Sequence, residues 1–372
     1  MWKKLILISF IFLLILGLFL VIKQQEFIHN KYYRGITKLL PLDLKIKIIN
    51  SNILKSYYIN SVAKKTNKAF ESSNDRIKNL RSVFIKNYLL KPEQINISKI
   101  NFANLKNKTF KFLPDDKFEV FKAHYYDIDE YGILEYSNTP KNKLLIYHQG
   151  HRGNPYKFEN FIKIRDHYKK KGFDVFALSM PVLGFNRKNI NFPGIDNTKG
   201  KHEIYHKYFD KNLPEKKPLS VFISGNYYLI KNLIENRNYN QVYYIGVSGG
   251  GWFVTLLSSF ITEIKNSYSF ASLVPLELRY LGVRGDWEAS KAKFYKDINY
   301  YDLFNMTTLD KNLERNRNHY LIYNKLDDCC FSRPWSEIME RAGKEINYKN
   351  FIIKELDVNK HTIDLDFLFS EF

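Results

Sequence analysis

The spacing of apolar positions changes twice along this chain. Leu5 to Ile22 is an unbroken apolar stretch, preceded by Trp2-Lys3-Lys4 and followed by Lys23-Gln24-Gln25. About 18 uncharged residues suffice to cross a bilayer as a helix. No small-residue cleavage site comes after it, so 1–23 is expected to be an uncleaved transmembrane signal anchor. From 24 to 112 apolar residues recur at helical spacing, as in Ile77, Leu80, Val83, Phe84 and Tyr88. This segment predicts a mostly helical stalk, or a helical layer packed on the C-terminal domain. From about 113 onward, short apolar runs alternate with longer amphipathic ones. Strands are expected at 118–126, 132–136, 143–147, 174–178, 241–247, 267–273, 320–323 and 351–354, with helices near 155–171, 218–236, 250–265 and 334–346. Such alternation predicts an α/β domain over 113–372, with a mostly parallel sheet covered on both faces. The short link between the first two strands predicts that they pair antiparallel.

Composition sharpens this division. The hydrophobic fraction is 45%, which excludes a disordered chain. The formal net charge is +20, and residues 23–111 carry most of the excess, with 19 Lys/Arg against 5 Asp/Glu. Beside a membrane span, such a segment can contact anionic lipid head groups. Lysines that merely solvate helix faces would read the same way. No nucleic-acid motif accompanies the charge, so no nucleic-acid partner is expected. A short Lys-containing tail before the span places the large domain on the extracytoplasmic side. Lys23, Lys31, Arg34 and Lys38 pull the other way, but a long domain can be translocated despite them. The only cysteines, Cys329 and Cys330, are adjacent, which excludes a disulfide framework. Buried thiols are expected there rather than a vicinal disulfide.

Candidate chemistry centres on Gly246-Val247-Ser248-Gly249-Gly250, a G-x-S-x-G sequence between a β-branched, aromatic run and a helical one. A strand–serine–helix turn holds a hydroxyl above the sheet, and only small residues fit beside it. The hydroxyl needs a base, the base needs an orienting acid, and the oxyanion needs backbone donors. His361, after the strand at 351–354, is the candidate base. Asp327, after the strand at 320–323, is the candidate acid, with Asp328 and Asp286 as alternatives. Gly249 N–H is one oxyanion donor. The second comes from the loop His148-Gln149-Gly150-His151-Arg152-Gly153, with His151 the choice. The spacing of His148 and His151 fits no zinc pattern, and no metal or cofactor is expected.

These pieces resemble the α/β-hydrolase superfamily, in the order Ser248, Asp327, His361. His148-Gln149-Gly150 resembles its oxyanion loop, and Met180-Pro181-Val182-Leu183-Gly184-Phe185 resembles the turn after the next strand. The resemblance covers the last two-thirds of the chain. It implies a serine hydrolase acting through an acyl-enzyme, most simply on a carboxylic ester, small or polymeric. Two departures stand out: Gln149 intrudes before Gly150, and Asn324 replaces the glycine many members carry before the acid. The same triad would serve a peptidase or an acyltransferase, and a silent membrane-tethered binding module is the reading from a different class. The long stretches 186–216 and 281–317 are expected to be loops shaping substrate choice.

Overall fold

The computed structural model describes residues 51–100, 118–126, 128–151, 153–189, 218–279, 288 and 292–371. The expected membrane span, the boundary at 112–113, Asp286 and most of 186–216 lie outside these residues. Among the described residues no helix is long and apolar enough to cross a membrane.

Among the described residues nine strands form one sheet in the order β1-β2-β3-β5-β4-β6-β7-β8-β9. They are β1 (Asn96–Ile100), β2 (Phe118–Tyr125), β3 (Ile128–Glu135), β4 (Lys143–His148), β5 (Phe173–Leu178), β6 (Gln241–Val247), β7 (Ile264–Phe270), β8 (Asn318–Asn324) and β9 (Phe351–Leu356). The first three run antiparallel to their neighbours, and β5, β4, β6, β7, β8 and β9 are parallel. All carboxyl ends of the parallel strands therefore meet at one edge.

The helices are α1 (Asn52–Phe70), α2 (Asn74–Tyr88), α3 (Glu159–Lys170), α4 (Pro218–Arg237), α5 (Gly249–Phe260), α6 (Leu276–Arg279), α7 (Ala292–Asp297), α8 (Tyr300–Thr307), α9 (Trp335–Lys344) and α10 (Leu365–Ser370). Strand side chains alternate between faces. Leu144, Ile146, Val242, Tyr244, Leu321 and Tyr323 pack with α1, α2, α4, α5, α8 and α9. Leu145, Tyr147, Tyr243, Ile245 and Phe270 pack with α3 and α10. Burial on both faces explains why the central strands read as continuous apolar runs.

Residues 51–100 lie against the rest of the molecule. Ser51 and Ser73 cap α1 and α2. Phe84 stacks on Phe260 at 3.6 Å. Lys55 pairs with Glu337 at 2.9 Å, Lys65 with Glu277 at 2.8 Å and Arg76 with Asp302 at 2.9 Å. Arg81 donates to the carbonyls of Leu309 and Asp310. Part of the basic excess thus faces inward, onto acidic groups of the later chain.

Four sequence expectations need correction. Strand β1 lies inside the segment read as helical; it is a short edge strand with exposed Asn96 and Lys99, and so shows no apolar face. Strand β7 ends three residues before the expected 273, because Ala271 turns out of the sheet at φ 43°. The stretch 281–317 is not simply a loop: it contains α7 and α8, and its aromatic residues Tyr300 and Phe304 are core. Asn299 and Asp302 form a capping box that starts α8. The cysteines are not buried thiols: Cys329 is exposed and bonded to Cys330.

Candidate active site

Strand β6 delivers Ser248 to the carboxyl edge, and α5 begins at the next residue. Ser248 has φ 58° and ψ −131°. That conformation costs a non-glycine residue on the order of 1–3 kcal/mol. It is held from both sides: Ser248 N–H donates to the Phe270 carbonyl of β7 at 2.9 Å, and its own carbonyl accepts from Trp252 N–H at 3.1 Å. Gly249 N–H is the first of α5 and has no intrahelical acceptor.

The loop after β4 presses against this turn. A methyl group on Gly250 would lie 2.1 Å from the His148 carbonyl oxygen, and one on Gly150 would lie 2.7 Å from Ser248 Cβ. The Gly150–His151 peptide therefore adjoins Ser248. Gln149 does not disturb this: its side-chain oxygen accepts from Tyr147 O–H at 2.9 Å, away from the turn. The His148 ring is buried and stacks on Phe253 at 4.5 Å. Its Nδ1 lies 3.0 Å from the Gln149 carbonyl, so that nitrogen carries the proton. Burial pushes its pKa down to about 3, so His148 stays neutral and structural. The His151 ring lies over Gly249, with Cε1 2.5 Å from where a methyl there would sit, and its Nε2 lies 3.4 Å from Glu288 Oε1. The turn Met180–Phe185 docks beside it, and Asn186 Nδ2 donates to the carbonyls of Ser179 and Met180.

Strands β8 and β9 supply the other groups. His361 Nδ1 lies 2.8 Å from Asp327 Oδ2, with both side chains buried. Asp327 Oδ1 accepts from the N–H groups of Cys329 at 2.7 Å and Cys330 at 3.0 Å. Burial raises the pKa of Asp327. Its hydrogen bond and charge interaction with His361, together with the two amides, outweigh that and hold the carboxyl below its ordinary range. Asp328 does a different job: its Oδ1 accepts the backbone N–H of His361 at 2.9 Å. Asn324 Nδ2 donates to the carbonyls of Lys360 at 2.7 Å and Thr362 at 2.8 Å, clamping the backbone on either side of His361. The residue that departs from the expected glycine thus ties the acid strand to the base loop.

The Ser248 turn after β6, a carboxylate after β8 and an imidazole after β9 all rise from one edge of a mostly parallel sheet. The chain has the α/β-hydrolase fold.

No protein-family model matches the chain, and a search of curated proteins finds no match. Among solved structures, an acetyl xylan esterase from Thermoanaerobacterium sp. is 14% identical with a TM-score of 0.48, covering 82% of this chain and 92% of that one. An esterase of Pyrococcus furiosus is 15% identical with a TM-score of 0.43, covering 68% and 87%. An acetyl xylan esterase from Paenibacillus sp. is 12% identical with a TM-score of 0.40, covering 80% and 90%.

At this sheet edge the carboxylate and imidazole meet, while the serine and imidazole are not hydrogen-bonded among the described residues. His361 Nε2 is buried with no hydrogen-bond partner among the described residues. Catalytic hydrogen bonds of this kind commonly tighten only with substrate bound. Cys329, Cys330 and His361 lie within 4.8 Å of one another, the described residues' one grouping of metal-binding side chains. Their sulfurs are bonded to each other, which leaves no thiolate for an ion. Glu288 and the buried Arg279 were not foreseen. Their burial emerges only in the folded chain, and sequence spacing carries no such signal.

Proposed function

We propose that the protein is a membrane-anchored serine hydrolase that cleaves a carboxylic ester through an acyl-enzyme. The observation that carries this reading is the 2.8 Å contact of Asp327 with His361, at the same sheet edge as the strained Ser248 turn. Asp327 holds the proton on His361 Nδ1, leaving Nε2 to accept the Ser248 proton. Ser248 Oγ attacks the acyl carbon, and His361 then delivers the proton to the leaving alcohol. Water, deprotonated by the same nitrogen, releases the acid. The N–H of Gly249 and that of His151 stabilise the oxyanion, each worth about 3–4 kcal/mol. The apolar run 5–22 anchors the chain, with the hydrolase domain on the extracytoplasmic face, and exposed lysines of the basic segment contact anionic lipid.

Labelling with a fluorophosphonate probe tests the chemistry. An adduct on Ser248, absent in Ser248→Ala, is expected. A folded, unlabelled protein would return the chain to the class of binding modules. Turnover of ester, thioester and amide substrates separates esterase from peptidase, and added alcohol acceptors reveal acyl transfer. Carbonate extraction of the full chain and protease accessibility in intact cells test the anchor and its orientation.

A further inference from the structure

Arg279 ends α6, the short helix that comes after β7. It is only 6% exposed, and its Nε, Nη1 and Nη2 all lack a hydrogen-bond partner among the described residues. Among the described residues no carboxylate forms an ion pair with it. The other deeply buried arginine is treated differently. Arg317 spends its guanidinium on the carbonyls of Ile264, Ser258, Ile261 and Leu309. This fold therefore satisfies a structural buried arginine completely. A guanidinium carries five donors and cannot shed its charge, and leaving it buried and unpaired is strongly unfavourable. An unmade set of donors of this kind calls for a missing acceptor.

The chain that carries Arg279 leaves β7 at the same carboxyl edge of the sheet that holds Ser248. Five residues separate α6 from Phe270, whose carbonyl receives Ser248 N–H, and a methyl on Gly251 of α5 would lie 2.6 Å from Ser272 Cβ in that link. The Arg279 charge acts on the phenols of Tyr295, Tyr300 and Tyr323. Tyr295 O–H accepts the indole N–H of Trp252, four residues after the serine on α5, at 2.7 Å. Tyr300 is also acted on by Glu288, the carboxylate beside His151. Glu277, two positions earlier on α6, points the other way, to Lys65 and Tyr301. Arg279 thus lies within electrostatic reach of these phenols, its fork of donors unused among the described residues.

We propose that Arg279 anchors an anionic group of the substrate, so that the ester cleaved at Ser248 also bears a carboxylate or a phosphate. This rests on the hydrolase reading above. A planar fork of N–H donors matches both anions bidentately.

The test uses the full chain and two readouts. The first is kcat/KM for nitrophenyl butyrate against nitrophenyl hemisuccinate and hemiglutarate, and for the butyrate esters of phenol, hydroxybenzoate and hydroxyphenyl phosphate. A charge-assisted contact should favour the matching anionic ester by roughly 10–100-fold. In Arg279→Met that ratio should collapse toward one, and Arg279→Lys should restore part of it. Which series responds separates carboxylate from phosphate. The second readout is the thermal shift given by benzoate and by phenyl phosphate, which needs no turnover. A shift present in the wild type and lost in Arg279→Met supports the anion site even if Ser248 takes no fluorophosphonate, in which case the hydrolase reading alone falls. Labelled Ser248 with neither an anionic preference nor a shift overturns the anion site alone. A lower melting temperature in Arg279→Met with an unchanged anionic-to-neutral ratio would show a structural arginine, and would also overturn it.

Discussion

Two histidine–carboxylate pairs flank the elbow serine, and they are built differently. Asp327 is fixed by two backbone amides before it touches His361, and the His361 backbone is fixed by Asp328 and by the Asn324 clamp. The contact is 2.8 Å. His151 and Glu288 are 3.4 Å apart, and the His151 ring packs over Gly249. The difference shows what a base requires. An imidazole orients a proton only if its acid is itself held, and the two amides on Asp327 support the proposed pairing with His361.

Substitution of the two histidines breaks this comparison most sharply. His361→Ala should lower kcat/KM by at least about 10⁴-fold. His151→Asn keeps the backbone N–H and should lose less than about 100-fold, the floor for losing a general base. Steady-state kinetics on one ester decides; equal losses would make the pairs equivalent. Next are the neighbouring aspartates. Asp327→Asn should cost roughly 10³–10⁴-fold in kcat by offering the wrong tautomer. Asp328→Asn keeps an acceptor for the His361 amide and should cost less than about tenfold. The reverse order would exchange their roles.

A third test probes the oxyanion loop that carries His151. In Gly150→Ala the added methyl would lie 2.6 Å from the Val247 carbonyl. The loop must retreat, at about 1–3 kcal/mol of stability by urea unfolding, and kcat should fall by up to about 10³-fold as the donor withdraws. Unchanged kcat would move the second oxyanion donor elsewhere.

The smallest effect contrasts the ionised Asp327 with a carboxyl that has no histidine. Glu130 is buried, hydrogen-bonded by Tyr125 and by Asn226 at 2.8 Å, and burial pushes its pKa up to about 8. The folded state holds that proton and the unfolded state does not, from about pH 4.3 upward. Its contribution is therefore present at low pH and lost as pH rises through 8. His148 and His319, both pushed down to about 3, act with the opposite sign, but only below about pH 6.5. Between pH 6.5 and 8 the wild type should lose about 1–2 kcal/mol that Glu130→Gln does not. Parallel denaturation curves for the two proteins at both pH values would sink the assignment.

The sheet was largely legible because its central strands are buried on both faces and bounded by glycine and polar turns. Ser248 was legible because the elbow demands small neighbours, and His361 and Asp327 because each comes just after a strand. Strand β1 was not, since an edge strand with a polar exposed face has no apolar period. Helices α7 and α8 were missed because aromatic residues dominate their whole surroundings and mask a 3.6-residue period.

The sequence alone determined the tight turn at Ser248, the chain order of the candidate triad and the alternation that yields a parallel sheet, since these depend on local sterics and local burial. Only the tertiary structure decided that Asp327 faces the imidazole while Asp328 holds its backbone, that Asn324 clamps the His361 loop, and that Arg279 is buried without a hydrogen-bond partner among the described residues. Those outcomes depend on which side chains distant segments bring within 3 Å, and adjacent or far-removed residues of one type look alike until the chain has folded.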